Sequence, residues 1–237
     1  MARKYKRIKK PKYRYGINGP VRLRRQVMAS TNVNVKPTTK LFPAIKVVTM
    51  KYNDVNSYSG TPAGVYTYRS NALFDPDFTG TGVQCRGYDT LTNLYNKTTV
   101  YSCSATITAW STNANGCYLT AYPTLQPYPT VSTMPDIKPL TEQTGARTIY
   151  LPANGTQRTM KVYFSCKNRF GVSMDTIKND LTVYGADPGS IPSRNGYIVL
   201  VGYTGSLNLG TDTTAYTYRI KLRYNSIFRQ SVQDITQ

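Results

Sequence analysis

The chain of 237 residues contains no histidine. That removes Ser/His/Asp and Cys/His nucleophilic arrangements, a histidine general base and any histidine-bound metal. Glutamate is nearly absent too, with Glu142 alone. A carboxylate pair for acid–base work survives only on paper, at Asp75 and Asp77. This inventory points to a protein that is not an enzyme and needs no cofactor. The cysteines, Cys85, Cys103, Cys117 and Cys166, include no CxxC pair. They read as free thiols of a reducing compartment rather than a zinc site. No stretch approaches about 18 uninterrupted apolar residues, so membrane insertion is not expected. The basic start is not followed by an apolar segment, so a secretory signal peptide is not expected. On that reading the glycosylation patterns at Asn96-Lys97-Thr98 and Asn154-Gly155-Thr156 are chance matches.

Acid is missing from one end altogether. From Met1 to Asn53 there are fifteen Lys/Arg and no carboxylate, the first being Asp54. Eleven of those charges lie in the first 25 residues: Arg3, Lys4, Lys6, Arg7, Lys9, Lys10, Lys12, Arg14, Arg22, Arg24 and Arg25. The other 184 residues carry fifteen Lys/Arg against eleven Asp/Glu, so only +4 of the +19 belongs to them. A basic tail on a nearly neutral body calls for a polyanion, and a strand of phosphates fits best because binding it releases counterions. A solvated arm serving solubility fits less well, because scattered charge or acids do that better. Tyr5, Tyr13 and Tyr15 lie between the charges and can stack on unpaired bases. The run Lys6-Arg7-Ile8-Lys9-Lys10-Pro11-Lys12 has the density of a nuclear localisation signal and lies wholly inside the same arm.

Residues 1–40 are too charged to collapse, and Pro11, Gly16, Gly19 and Pro20 break any helix. A disordered basic arm is expected there, a folded body over 41–229 and a short tail over 230–237. The body reads as eight strands: Ile45–Tyr52, Val65–Ala72, Val100–Trp110, Cys117–Tyr122 closed by Pro123, Arg147–Leu151, Met160–Lys167, Tyr197–Tyr203 and Thr214–Tyr224. In the third, Tyr101, Cys103, Ala105, Ile107 and Ala109 form a core face. Tyr197–Tyr203 is apolar throughout, as a strand covered on both faces would be. In the last, Tyr216, Tyr218, Ile220, Leu222 and Tyr224 face one way, and Thr217, Arg219, Lys221 and Arg223 the other. Short helices are expected at Asp89–Asn96, capped by Asp89, and at Met174–Leu181. The five prolines of Pro123–Pro139 mark a long surface loop, a candidate subunit contact. Many strands with no βαβ alternation give an all-β fold: an eight-stranded single jelly roll of two packed four-stranded antiparallel sheets.

Several segments are then familiar. Asn71-Ala72-Leu73-Phe74-Asp75-Pro76-Asp77-Phe78-Thr79-Gly80-Thr81-Gly82-Val83-Gln84 resembles a loop in coat proteins of small circular single-stranded DNA viruses that encode a replication initiator. Gly87-Tyr88-Asp89, Leu94-Tyr95-Asn96 and Val100-Tyr101 are similar to its continuation in this circovirus/cyclovirus-like group. Met160–Ser165 with Phe170-Gly171-Val172, and Tyr184-Gly185-Ala186-Asp187-Pro188, resemble later segments in the same order. The resemblance implies a capsid subunit of a small icosahedral shell, of about 60 copies. It implies that the arm packages circular single-stranded DNA, and that the protein resides in the virion and, during assembly, in the host nucleus. A nuclear import receptor and a cell-surface receptor are the further partners it implies. It also implies that one sheet's outer face looks into the shell, which turns Arg219, Lys221 and Arg223 toward the genome. An ordinary solvated strand face is the alternative for those three. Some jelly-roll coats hold Ca²⁺ with paired carboxylates, but Asp75 and Asp77 alone are too few ligands and suit turn capping; no metal is expected. A coat protein of an RNA virus, or a non-viral nucleic-acid-binding β-protein with a basic tail, would share the arm.

Overall fold

The computed structural model describes residues 43–60, 63–80, 83–128, 137–204 and 213–230. The chain divides into two units, Met1–Thr39 and Lys40–Gln237, and every described residue belongs to the second. The eleven predicted arm residues from Arg3 to Arg25, and the tail from 231, lie outside the described residues.

The elements in chain order are β1 (Ile45–Gly60), β2 (Ala63–Arg69), α1 (Tyr88–Thr92), β3 (Lys97–Ser111), β4 (Cys117–Thr124) and α2 (Ile137–Thr141). Then come β5 (Arg147–Leu151), β6 (Arg158–Ser165), α3 (Cys166–Phe170), α4 (Met174–Asn179), β7 (Gly185–Ala186), β8 (Tyr197–Tyr203) and β9 (Thr214–Arg229). One sheet runs β1-β9-β3-β6 and the other β2-β8-β4-β5, all antiparallel. That interleaving of early and late strands is the strand order of a jelly roll. The two-residue β7 adds a fifth strand to the first sheet by pairing with Thr98 and Thr99.

Between the sheets lies the main core. Ile107, Ile220, Leu222, Phe164, Ile198 and Leu200 are buried there, supplied by the apolar positions of alternating strands. Tyrosines do much of the filling. Tyr216 from β9 reaches across to donate a hydrogen bond to the Gly64 carbonyl at 3.1 Å. It fits because Gly64 and Gly202 have no side chains; a Cβ on Gly202 would collide with its ring, and one on Gly64 with its hydroxyl and the Tyr58 ring. β8 is apolar throughout because its other face is covered as well. Tyr197, Val199, Val201 and Tyr203 pack with Tyr122, Tyr128 and Leu140 in a second, smaller cluster. The described ends of the proline-rich segment are therefore docked on this sheet, and Thr67 Oγ1 donates to the Tyr128 carbonyl at 2.8 Å.

Several expectations need correction. β4 is not closed by Pro123 but runs on to Thr124. β5 pairs only Cys117–Ala121, so Pro123 sits beyond β5's reach, where its missing N–H costs nothing. The strand from Met160 ends at Ser165, whose hydroxyl accepts from the Asn168 amide and starts the unexpected α3; Cys166 and Lys167 are helical. The first helix begins after Gly87, not after an Asp89 cap. Tyr101 packs against the main core but only half-buried, at the bulge where the register shifts between Val100 and Ser102.

Candidate nucleic-acid interface

In an antiparallel pair, directly opposed residues share a face, so the register defines the outer face of the first sheet row by row. One row reads Lys51, Arg223, Ser104, Tyr163 across β1, β9, β3 and β6. The next reads Asn53, Lys221, Thr106, Lys161. The third reads Val55, Arg219, Thr108, Thr159, and one row further on stand Ser57, Thr217 and Trp110. Five cations stand in three consecutive rows, and no carboxylate occupies a position in them. All five side chains are exposed. Lys51, Lys161, Lys221 and Arg223 border a depression of about 480 Å³, floored by Ser104, Ala105 and Thr106. None enters either ion pair found among the described residues, Arg69–Asp75 and Lys97–Asp187.

Arg219, Lys221 and Arg223 thus stand where the alternation of β9 put them, opposite buried Ile220 and Leu222. Lys51 and Lys161 were missed. Each lies at a polar position of an alternating strand, as many solvated lysines do, and only cross-strand pairing brings them beside Lys221 and Arg223. The face has the chemistry of phosphate binding: exposed cations on one sheet, with no acid in the same three rows.

The Asp75–Pro76–Asp77 turn has another task. Arg69 Nη1 donates to Asp75 Oδ2 at 2.6 Å, to the Asp75 carbonyl at 3.0 Å and to the Asp77 carbonyl at 2.8 Å. Asp77 Oδ1 accepts from the Thr79 amide at 3.0 Å, which caps the turn. Among the described residues no three of His, Cys, Asp and Glu converge as metal ligands. Asn71, at the head of the same segment, accepts from the Gly196 amide at 2.9 Å and donates to the Arg194 carbonyl at 2.8 Å. The described residues Asn71–Gly80 therefore form a structural clasp between β2 and the approach to β8. The cysteines are free and buried. Burial pushes the thiols of Cys85 and Cys166 up to about 12.

No family model matches the chain, and no curated protein does. Similar solved structures come from viruses. Mud crab tombus-like virus aligns at 14% identity and TM-score 0.47, over 96% of this chain and 97% of that one. The decameric BFDV capsid protein aligns at 12% identity and TM-score 0.43, over 78% and 100%. The virus-like particle of Macrobrachium rosenbergii nodavirus aligns at 15% identity and TM-score 0.42, over 76% and 94%.

Proposed function

We propose that this protein is the capsid subunit of a small circular single-stranded DNA virus. It assembles into an icosahedral shell and packages the genome through its basic arm, with the cationic sheet face as a second contact. The observation that carries the reading is the segregation of charge: fifteen cations before the first acid, and five more-or-less contiguous ones, Lys51 among both sets, on one sheet face. Phosphate contacts of this kind position a strand without reading its bases, so binding is sequence-tolerant and salt-sensitive. The order of family-like segments from Asn71 to Pro188 supports DNA rather than RNA as cargo. The Lys6–Lys12 run gives the same arm a nuclear import role, and loops at the shell surface are left to meet a cell-surface receptor.

The test is size-exclusion chromatography with negative-stain microscopy of the purified chain, followed by nuclease digestion of any cargo. Uniform spherical particles with protected, DNase-sensitive nucleic acid are expected. RNase-sensitive cargo would replace the DNA virus by an RNA virus. A monomer or dimer that binds DNA but never forms shells, across salt and pH, would replace the capsid by a host nucleic-acid-binding protein. Deleting residues 1–25 is expected to abolish nucleic-acid content, and a reporter fused to them is expected to enter the nucleus.

A further inference from the structure

Tyr163 stands on the edge strand β6 with 57% of its surface exposed. It shares a row with Lys51 and Arg223. Lys161 is its neighbour two residues along the same strand, about 7 Å away on the same face. An exposed tyrosine often serves a half-wet protein contact. Here that occupant fits poorly. A second copy seated on Tyr163 would desolvate the cations around it and would have to supply acids to pair with them. The whole chain has eleven Asp/Glu. Of these, Asp75 and Asp187 are held in ion pairs, and Asp77 caps its turn. A nucleic acid supplies phosphates for the cations and a π-face for the ring.

We propose that the outer face of the five-stranded sheet binds unpaired rather than duplex nucleic acid, with Tyr163 stacking on a base while Lys51, Arg223, Lys161 and Lys221 hold the flanking phosphates. This rests on the packaging reading, whose cargo is already single-stranded, and adds the residue of the sheet face that meets its bases. In a duplex the base faces are already stacked inside the helix, so the ring has nothing to meet. Stacking platforms of this kind are sequence-tolerant, because every base has a π-face.

The experiment uses the full chain and three labelled 30-mers: oligo-dT, an abasic strand of the same length, and a duplex. Binding is followed by fluorescence anisotropy at several salt concentrations. The wild type is expected to prefer oligo-dT to both the abasic strand and the duplex, and Tyr163→Ala to reduce the preference over the abasic strand about fivefold or more. Tyr163→Phe keeps the ring and is expected to keep the preference. The salt slope is expected to be the same in all three proteins, because no cation is lost. An unchanged preference in Tyr163→Ala overturns stacking at this residue. Unchanged preference together with loss of particles assigns Tyr163 to a subunit contact instead. Failure of the wild type to bind any strand overturns the packaging reading itself.

Discussion

One nitrogen of Arg69 holds both halves of the Asp75–Pro76–Asp77 turn: Nη1 lies 2.6 Å from the Asp75 carboxylate and 2.8 Å from the Asp77 carbonyl. The guanidinium is also 5.0 Å from the Phe78 ring centroid, and Phe78 packs edge-on against Tyr197 of β8. The ion pair is largely withdrawn from water, with 11% and 22% of the two side chains exposed. Arg69→Ala would therefore release the turn, and Asp75→Ala would leave a nearly buried cation without its anion.

Asp75→Ala is expected to lower unfolding stability by about 2 kcal/mol, the scale of a hydrogen bond to a charged group. Urea denaturation checks it. Because the carboxylate is committed to Arg69, added Ca²⁺ is expected to leave the wild-type midpoint unchanged; a calcium-dependent rise would return the turn to the metal reading.

Gly202→Ala is expected to destabilise by about 1–3 kcal/mol, since its new methyl would run into the Tyr216 ring packed from the opposite sheet. Pairing it with Tyr216→Leu, which empties the space, is expected to cost less than the two single changes summed. Thermal melts of the four proteins in the cycle decide it.

Tyr68, Tyr218, Asp54 and Asn56 form one hydrogen-bonded group joining the sheets. Tyr68 donates to Asp54 Oδ2 at 2.8 Å, so Tyr218 is left to donate to the Tyr68 oxygen at 2.7 Å. Asn56 Nδ2 reaches Asp54 Oδ2 at 2.6 Å and the Tyr68 oxygen at 3.2 Å. Tyr68→Phe strips partners from three groups and is expected to cost about 1–3 kcal/mol. Tyr218→Phe removes one donor only and is expected to cost less, by the same denaturation measurement.

High pH is expected to destabilise the fold. Burial raises the Cys85 and Cys166 thiols to about 12 in the folded chain, against 9.0 for a free thiol. Burial also raises Tyr68 and Tyr218 above their ordinary value. The folded state therefore keeps protons that the unfolded state has lost. The stabilisation is complete below about pH 9 and falls as pH climbs toward 12. Unfolding midpoints at pH 8, 9.5 and 11 should decrease in that order. At pH 8 the native thiols should be inert to a thiol reagent and become reactive on unfolding.

The alternation of β9 was legible residue by residue, because which side of a strand a side chain takes depends only on its parity along the chain. The apolar run of β8 likewise announced two covered faces, although not that Tyr128 and Leu140 would cover the second. α3 was hidden, because Cys166 continues the period of the strand before it, and only the capping bond of Ser165 turns the chain. The bulge at Val100 and Ser102 was hidden for a related reason: it exists only relative to a partner strand.

Composition and order alone determined that an acid-free basic stretch precedes an all-β body, that no histidine chemistry is available, and that Arg219, Lys221 and Arg223 share a face. These follow from local quantities: charge per stretch of chain and a period of two. Only the tertiary structure decided that Lys51 and Lys161 complete that face and that Tyr163 stands in it. It alone showed that the Asp75–Asp77 turn serves Arg69, and that Gly202 makes room for Tyr216. Those relationships depend on strand register and sheet packing between segments far apart in sequence, which are set by the whole core together and by no stretch of the chain in isolation.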